Sequence, residues 1–352
     1  MKKPFLSFSS FLLGLSLMLV SCGGVKTDTA ETSASTEENT EQFSDTQSTA
    51  DTPKPQPEPV SLDGKKIIFV GNSFIYYGQT VLEKKQTVLT QEQRNNDKGY
   101  FYQLCKTNGD EVSVTNWTFG GHSLDHLFGG NCSANRGCDG VDHLSYLADR
   151  NYDYVVISEG SGARCNDPFV EQMEKVMKIF REANPDVKFV YLCNAAPYGI
   201  SSATDKTYRQ TNILNHLKVL ESQGVIIADW GKLVTDIING TATIPNATQE
   251  YDQNSFIIRK SAADGYHPNL LTGYITSLMA YCAITGRSAA DQSYDFCATT
   301  GSSFISFQSK YYTYGNATTN FRDIFASDSD MKGIQQLIDK YLSEKAYLNY
   351  NY

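Results

Sequence analysis

Between residues 65 and 286 the chain alternates short apolar runs with longer amphipathic stretches. Ile67 to Val70, Tyr152 to Ile157, Val187 to Leu192 and Val225 to Ala228 are apolar runs bounded by turn residues, and Glu111 to Phe119 alternates and is rich in Val and Thr. Runs of this length and outline suit strands, and the unbroken ones suit strands covered on both faces of a parallel sheet. Helical patterns lie between them. Tyr100 to Thr107 ends on Asn108-Gly109, and Asp142 to Asp149 is short. Asp167-Pro168 supplies an N-cap and a first-turn proline for a helix running to about Ala183, where Asn184-Pro185 stops it. Asp205 to Ser222, Trp230 to Ile238 and Pro268 to Thr285 follow, the last stopped by Gly286. Beyond Ser302 the chain is rich in Tyr and Phe and closes on an amphipathic helix from Met331 to Ala346. Strands alternating with helices at this spacing predict an α/β fold: a three-layer sandwich with a central parallel sheet of about five strands flanked by helices.

Polar punctuation follows three of these strands: at Ser73, at Gly120-Gly121 and from Ser158 to Gly162. All three fall on the carboxyl edge of the expected sheet, where open α/β sheets place their ligands. Ser73 follows the turn at Gly71. A serine there exposes its hydroxyl as a nucleophile, and its N–H can bind an oxyanion. A serine nucleophile needs a base, and the base an orienting group. His267, in Ala-Asp-Gly-Tyr-His-Pro, stands directly before the last core helix, with Asp264 three residues earlier. Gly265 lets the loop fold so that the Asp264 carboxylate accepts from His267 Nδ1–H, which turns Nε2 towards Ser73. His122 and His126 share a helical spacing, but Ser123 stands where a metalloprotease helix has glutamate. No cysteine spacing matches a zinc site, and acyl transfer by a serine and its imidazole base requires neither a metal nor an organic cofactor.

Together these pieces resemble the SGNH (GDSL-type) hydrolase superfamily. Gly71-Asn72-Ser73-Phe74 resembles its first block, with Asn in place of the usual Asp. Gly121-His122-Ser123 resembles its second block and Asp264-Gly265-Tyr266-His267-Pro268 its fifth. The resemblance implies a flavodoxin-like sheet, a catalytic set of Ser73, Asp264 and His267, and an oxyanion hole from the N–H groups of Ser73 and Gly121. The third block departs: Ser158-Glu159-Gly160-Ser161 lacks the asparagine that the family uses as a further donor, so that either Ser161 substitutes for it or the hole relies on its two backbone donors. Within the family the resemblance points to carbohydrate acetylesterases, with an acylated polysaccharide or another small ester as substrate. A lipase or thioesterase, and a surface glycan-binding protein without turnover on the same fold, are the alternatives.

Lys2-Lys3, the apolar stretch from Phe5 to Val20 and Leu19-Val20-Ser21-Cys22 resemble a bacterial lipoprotein signal over residues 1–21, with lipidation of Cys22. Residues 22–60 are rich in Ser, Thr and acidic side chains and end in alternating prolines, the composition of a disordered linker and spacer. Residues 61–352 then form the folded domain. This organisation predicts an exported protein held on the bacterial cell envelope by lipid. Formal net charge is −9, with a pI near 5.1, which argues against a nucleic-acid partner. Export permits disulfides; Cys132 and Cys138 flank a polar loop and are the candidate pair, whereas Cys193 and Cys282 fall where small core residues belong.

Overall fold

The computed structural model describes residues 58–81, 99–119, 123–128, 142–147, 149–159, 168–194, 212–257, 267–297 and 327–350. Its elements, in chain order, are β1 (Lys66–Gly71), α1 (Ser73–Tyr76), α2 (Tyr100–Thr107), β2 (Ser113–Thr118), α3 (Leu124–Leu127), β3 (Tyr154–Ile157), α4 (Pro168–Arg181), β4 (Lys188–Leu192), α5 (Leu214–Ser222), β5 (Ile226–Ala228), α6 (Trp230–Ile238), α7 (Gln253–Phe256), α8 (Leu270–Thr285) and α9 (Asp328–Ser343). Short 3-10 turns stand at His143–Tyr146, Ala289–Asp291, Asp295–Cys297 and Ala346–Leu348.

The five strands form one sheet in the order β2-β1-β3-β4-β5, and every pairing is parallel. This is the doubly wound order in which the connection reverses between β1 and β3, and the crevice at that reversal opens at the carboxyl ends of the strands. The expected three-layer α/β sandwich with a five-stranded parallel sheet is therefore the fold observed.

Alternate residues of each strand feed two apolar cores, one on each face. Ile67, Phe69, Val156, Val190 and Ala228 pack with α2, α6, α8 and α9. Ile68, Val70, Val155, Ile157, Phe189, Tyr191 and Ile227 pack with α4 and α5. Because both faces are covered, the strands read as unbroken apolar runs rather than alternating ones.

α8 is apolar nearly all round, and fourteen of its residues are buried. Asn269 begins it by accepting from Thr272 N–H, and Gly286 ends it in the left-handed region at φ 71°. The expected start at Pro268 falls two residues early. Pro268 instead pairs in an isolated antiparallel bridge with Ile257. The Asn269 side chain, able to satisfy a first-turn N–H, is the better cap. Near the far end of α8, Val60 N–H donates to Thr285 O at 2.8 Å, so the chain enters the fold there.

The last element expected, Met331 to Ala346, is α9 followed by the turn at Ala346–Leu348. It is tied back to α6: the Tyr341 hydroxyl donates to Asp236, which also holds Lys232 Nζ at 2.5 Å. The Tyr350 hydroxyl donates to Asp229, the N-cap of α6.

Candidate active site

β1 delivers the chain to the sheet's carboxyl edge, and Gly71 lets it turn there. A Cβ on Gly71 would lie 2.6 Å from the Ser158 carbonyl oxygen at the end of β3 and 2.9 Å from Ile75 Cδ1. Only a residue without a side chain admits this approach. Asn72 then caps α1, its Oδ1 accepting from Phe74 N–H at 3.0 Å. Its side chain is thereby committed to the turn. Ser73 is the first residue of α1, so its N–H is one that the helix leaves without an internal partner, suited to an oxyanion.

His267 arrives from the other end of the chain, three residues before α8. Its Nε2 lies 2.9 Å from Ser73 Oγ. Both residues are nearly buried, at 7% and 8% exposure, so little water competes for the contact. Tyr77 stacks its ring on the imidazole, with centroids 4.0 Å apart and planes 13° from parallel. The Phe74 ring stands 5.4 Å from the imidazole at 38°, and itself lies 6.4 Å from Trp230. The hydroxyl and the imidazole are thus held in contact inside an aromatic collar. A neutral imidazole with Nε2 unprotonated can take the serine proton, which raises the nucleophilicity of Oγ at the moment of attack.

Of the residues expected at the site, the structure brings Ser73 and His267 together. Asp264, Gly121, Ser161 and Cys22 lie outside the described residues, as do His122 and the Cys132–Cys138 pair. On β3's edge, Ser158 and Glu159 are buried. Asn194, just past β4, donates Nδ2 to the Glu159 carbonyl at 3.4 Å, so its amide braces the end of β3. Sequence reasoning missed the Tyr77 stack. Its one signal was spacing, since Tyr77 is four residues after Ser73 and so on the same helical face. Among the described residues, no group of three or more His, Cys, Asp and Glu side chains could hold a metal ion.

One carboxylate near this edge is strongly perturbed. Asp229 follows β5 and is buried, which pushes it up to about 6. The Tyr350 hydroxyl, the Lys232 N–H and charge, and the Cys193 thiol pull against that rise.

The fold and this edge define a doubly wound α/β protein with a serine–histidine pair at the carboxyl end of β1. No family model and no curated protein matches the sequence. Among solved structures, the chain is similar to a DUF4886 family protein from Bacteroides uniformis, at 16% identity over 80% of this chain and 95% of that one, with a TM-score of 0.48. It is also similar to a catalytic mutant of an acetylxylan esterase from Geobacillus stearothermophilus, at 15% identity over 63% and 94% of the two chains, with a TM-score of 0.39. A carbohydrate esterase family 2 enzyme with a carbohydrate binding domain from Corynascus thermopiles aligns at 18% identity over 66% and 68%, with a TM-score of 0.38. The strand order, rather than these likenesses, defines the fold class.

Proposed function

We propose that this protein is a serine esterase of the SGNH type that removes acetyl or other short acyl groups from carbohydrate. The observation that carries the reading is the 2.9 Å contact between His267 Nε2 and Ser73 Oγ at the carboxyl end of β1. In the reaction, His267 takes the proton from Ser73 as Oγ attacks the ester carbonyl. The tetrahedral oxyanion is held by the N–H groups of Ser73 and Gly121, with Ser161 as a further donor. His267 then gives the proton to the departing alcohol as the C–O bond breaks. Water, deprotonated by His267, releases the acid from the acyl-serine. Asp264 fixes the imidazole by accepting from Nδ1–H. No metal or organic cofactor takes part. Residues 1–21 act as a lipoprotein signal, Cys22 carries the lipid and residues 22–60 are the spacer, so the domain works at the cell envelope among polysaccharides.

Turnover of p-nitrophenyl esters of increasing chain length, and acetate release from acetylated polysaccharide, test the reading. The expected result is short-chain hydrolysis that falls by at least about 10³-fold in S73A and in H267A, both still folded. Equal rates in wild type and S73A on both substrates would overturn it. Preference for long acyl chains would move the substrate to lipids.

A further inference from the structure

The turn that carries the serine also carries the ring that faces the histidine. Tyr77 N–H donates to Ser73 O at 3.0 Å, closing a single turn of helix, and residues four apart on such a turn lie on one face. Ser73 Oγ therefore meets the edge of the His267 imidazole at Nε2, while the Tyr77 ring covers its face at 4.0 Å and 13°. One short segment grips the imidazole in two directions. Tyr77 is half-buried and its ring contact is closer to parallel than that of Phe74 at 38°.

The geometry points to Tyr77 as a positioning residue for His267, holding the imidazole in the plane that joins Ser73 Oγ to the leaving-group oxygen. This rests on the serine-esterase reading above. Two physical effects act together. A stacked ring restricts rotation of the imidazole about its side-chain bonds, so the base keeps one aim through both proton transfers, where small misplacements are costly. An aromatic face also favours a cation over a neutral ring, and the imidazole becomes a cation when Ser73 attacks. Both effects need the ring face of Tyr77, and neither needs its hydroxyl.

The test compares the full-length protein with Y77F and Y77L on a p-nitrophenyl short-chain ester, with S73A as the control. Y77F keeps the face and is expected within about threefold of wild type. Y77L loses it, and kcat is expected to fall about 10-fold, with KM little changed. In proton NMR, the His267 ring C–H resonances, identified by their loss in H267A, are expected upfield in wild type and Y77F through the ring current. They are expected to move downfield in Y77L. Should Y77L not fold, Y77M fills similar volume without a ring face and takes its place.

Wild-type kcat in Y77L would overturn the inference and leave the esterase reading intact. So would a change confined to KM, which marks a substrate contact, or an equal loss in Y77F, which marks the hydroxyl. Equal turnover by wild type and S73A would sink the esterase reading itself, and this inference with it.

Discussion

Gly78 and Gly273 touch backbone to backbone. A Cβ on Gly273 would sit 1.6 Å from the Gly78 carbonyl oxygen, and one on Gly78 would lie 2.6 Å from Gly273 Cα. Gly78 follows the serine turn by one residue, and Gly273 is in the first turn of α8, which His267 precedes. The two catalytic candidates come from segments that are locked together where no side chain separates them. G273A must push α8 off the serine turn. We expect a loss of about 3 kcal/mol or more in denaturant unfolding, beyond the ordinary cost of an added methyl, together with a fall in ester turnover. Wild-type stability in G273A would show that this contact is not rigid.

Gly71 makes a separate prediction. In G71A, the added methyl meets the Ser158 carbonyl oxygen and Ile75, which forces apart the carboxyl ends of β1 and β3. Stability should fall by about 1–3 kcal/mol. Ester turnover should fall more steeply, about 10²-fold, because Ser73 is re-aimed relative to His267. Parallel urea melts and rate measurements check both, and turnover at the wild-type rate would contradict the placement of the turn.

The buried Asp229 carboxyl gives a pH dependence. Its ordinary value is 3.8 and burial raises it to about 6 in the folded protein. Below about pH 4 it is protonated in folded and unfolded chains alike and costs nothing. Between about 4 and 6 the folded chain keeps the proton that the unfolded chain gives up, so stability from this residue falls as pH rises. Above about 6 the full cost, about 3 kcal/mol, is in place. D229N still accepts from the Lys232 N–H and has no such cost. The difference in unfolding free energy between D229N and wild type should therefore grow in favour of D229N across that window. A constant difference from pH 4 to pH 7 would refute the assignment.

The cysteines supply a chemical prediction. Cys105, Cys193 and Cys282 are buried as thiols. Burial pushes the thiols of Cys105 and Cys282 well up, with Asp110 adding to the first and Asp339 to the second. Thiolate is the reactive form, so iodoacetamide at pH 8 should spare both in native protein and label both after unfolding. Peptide mass mapping reads this directly, and native labelling at either position would contradict their burial.

Much of the architecture was legible because the chain marks its own boundaries. Tyr100–Thr107 and Trp230–Ile238 are helices over the residues expected. Asn108-Gly109 stops the first, and Asp229 opens the second by accepting from Lys232 N–H at 3.0 Å. The strands were legible from their apolar runs, yet their order was not. Which strands become neighbours is set by how the helices cross the sheet, which no local pattern records. Short elements also escaped. Gln253–Phe256 is one turn held by a capping box between Asp252 and Ser255, too brief for any periodicity to show. The segment from Asp142 formed a 3-10 turn in place of the expected helix, with Asp142 accepting from both Leu144 and Ser145 N–H.

At the site, residue types were legible and their meeting was not. Ser73 and His267 stand 194 positions apart, so only the fold closes the distance. The Tyr77 stack belongs to the same class: a tyrosine one turn after a serine is unremarkable until a distant histidine slides against it.

The entry point of the chain gives the domain a polarity. Val60 is fastened at Thr285, the last residue of α8, while His267 lies just before its first turn. Sixteen residues of α-helix separate the two, about 24 Å at 1.5 Å per residue. A pull on the chain upstream of residue 60 therefore acts on the base of the domain, with the serine at its crown. The entry at Val60 and the Ser73–His267 contact thus stand at opposite ends of α8.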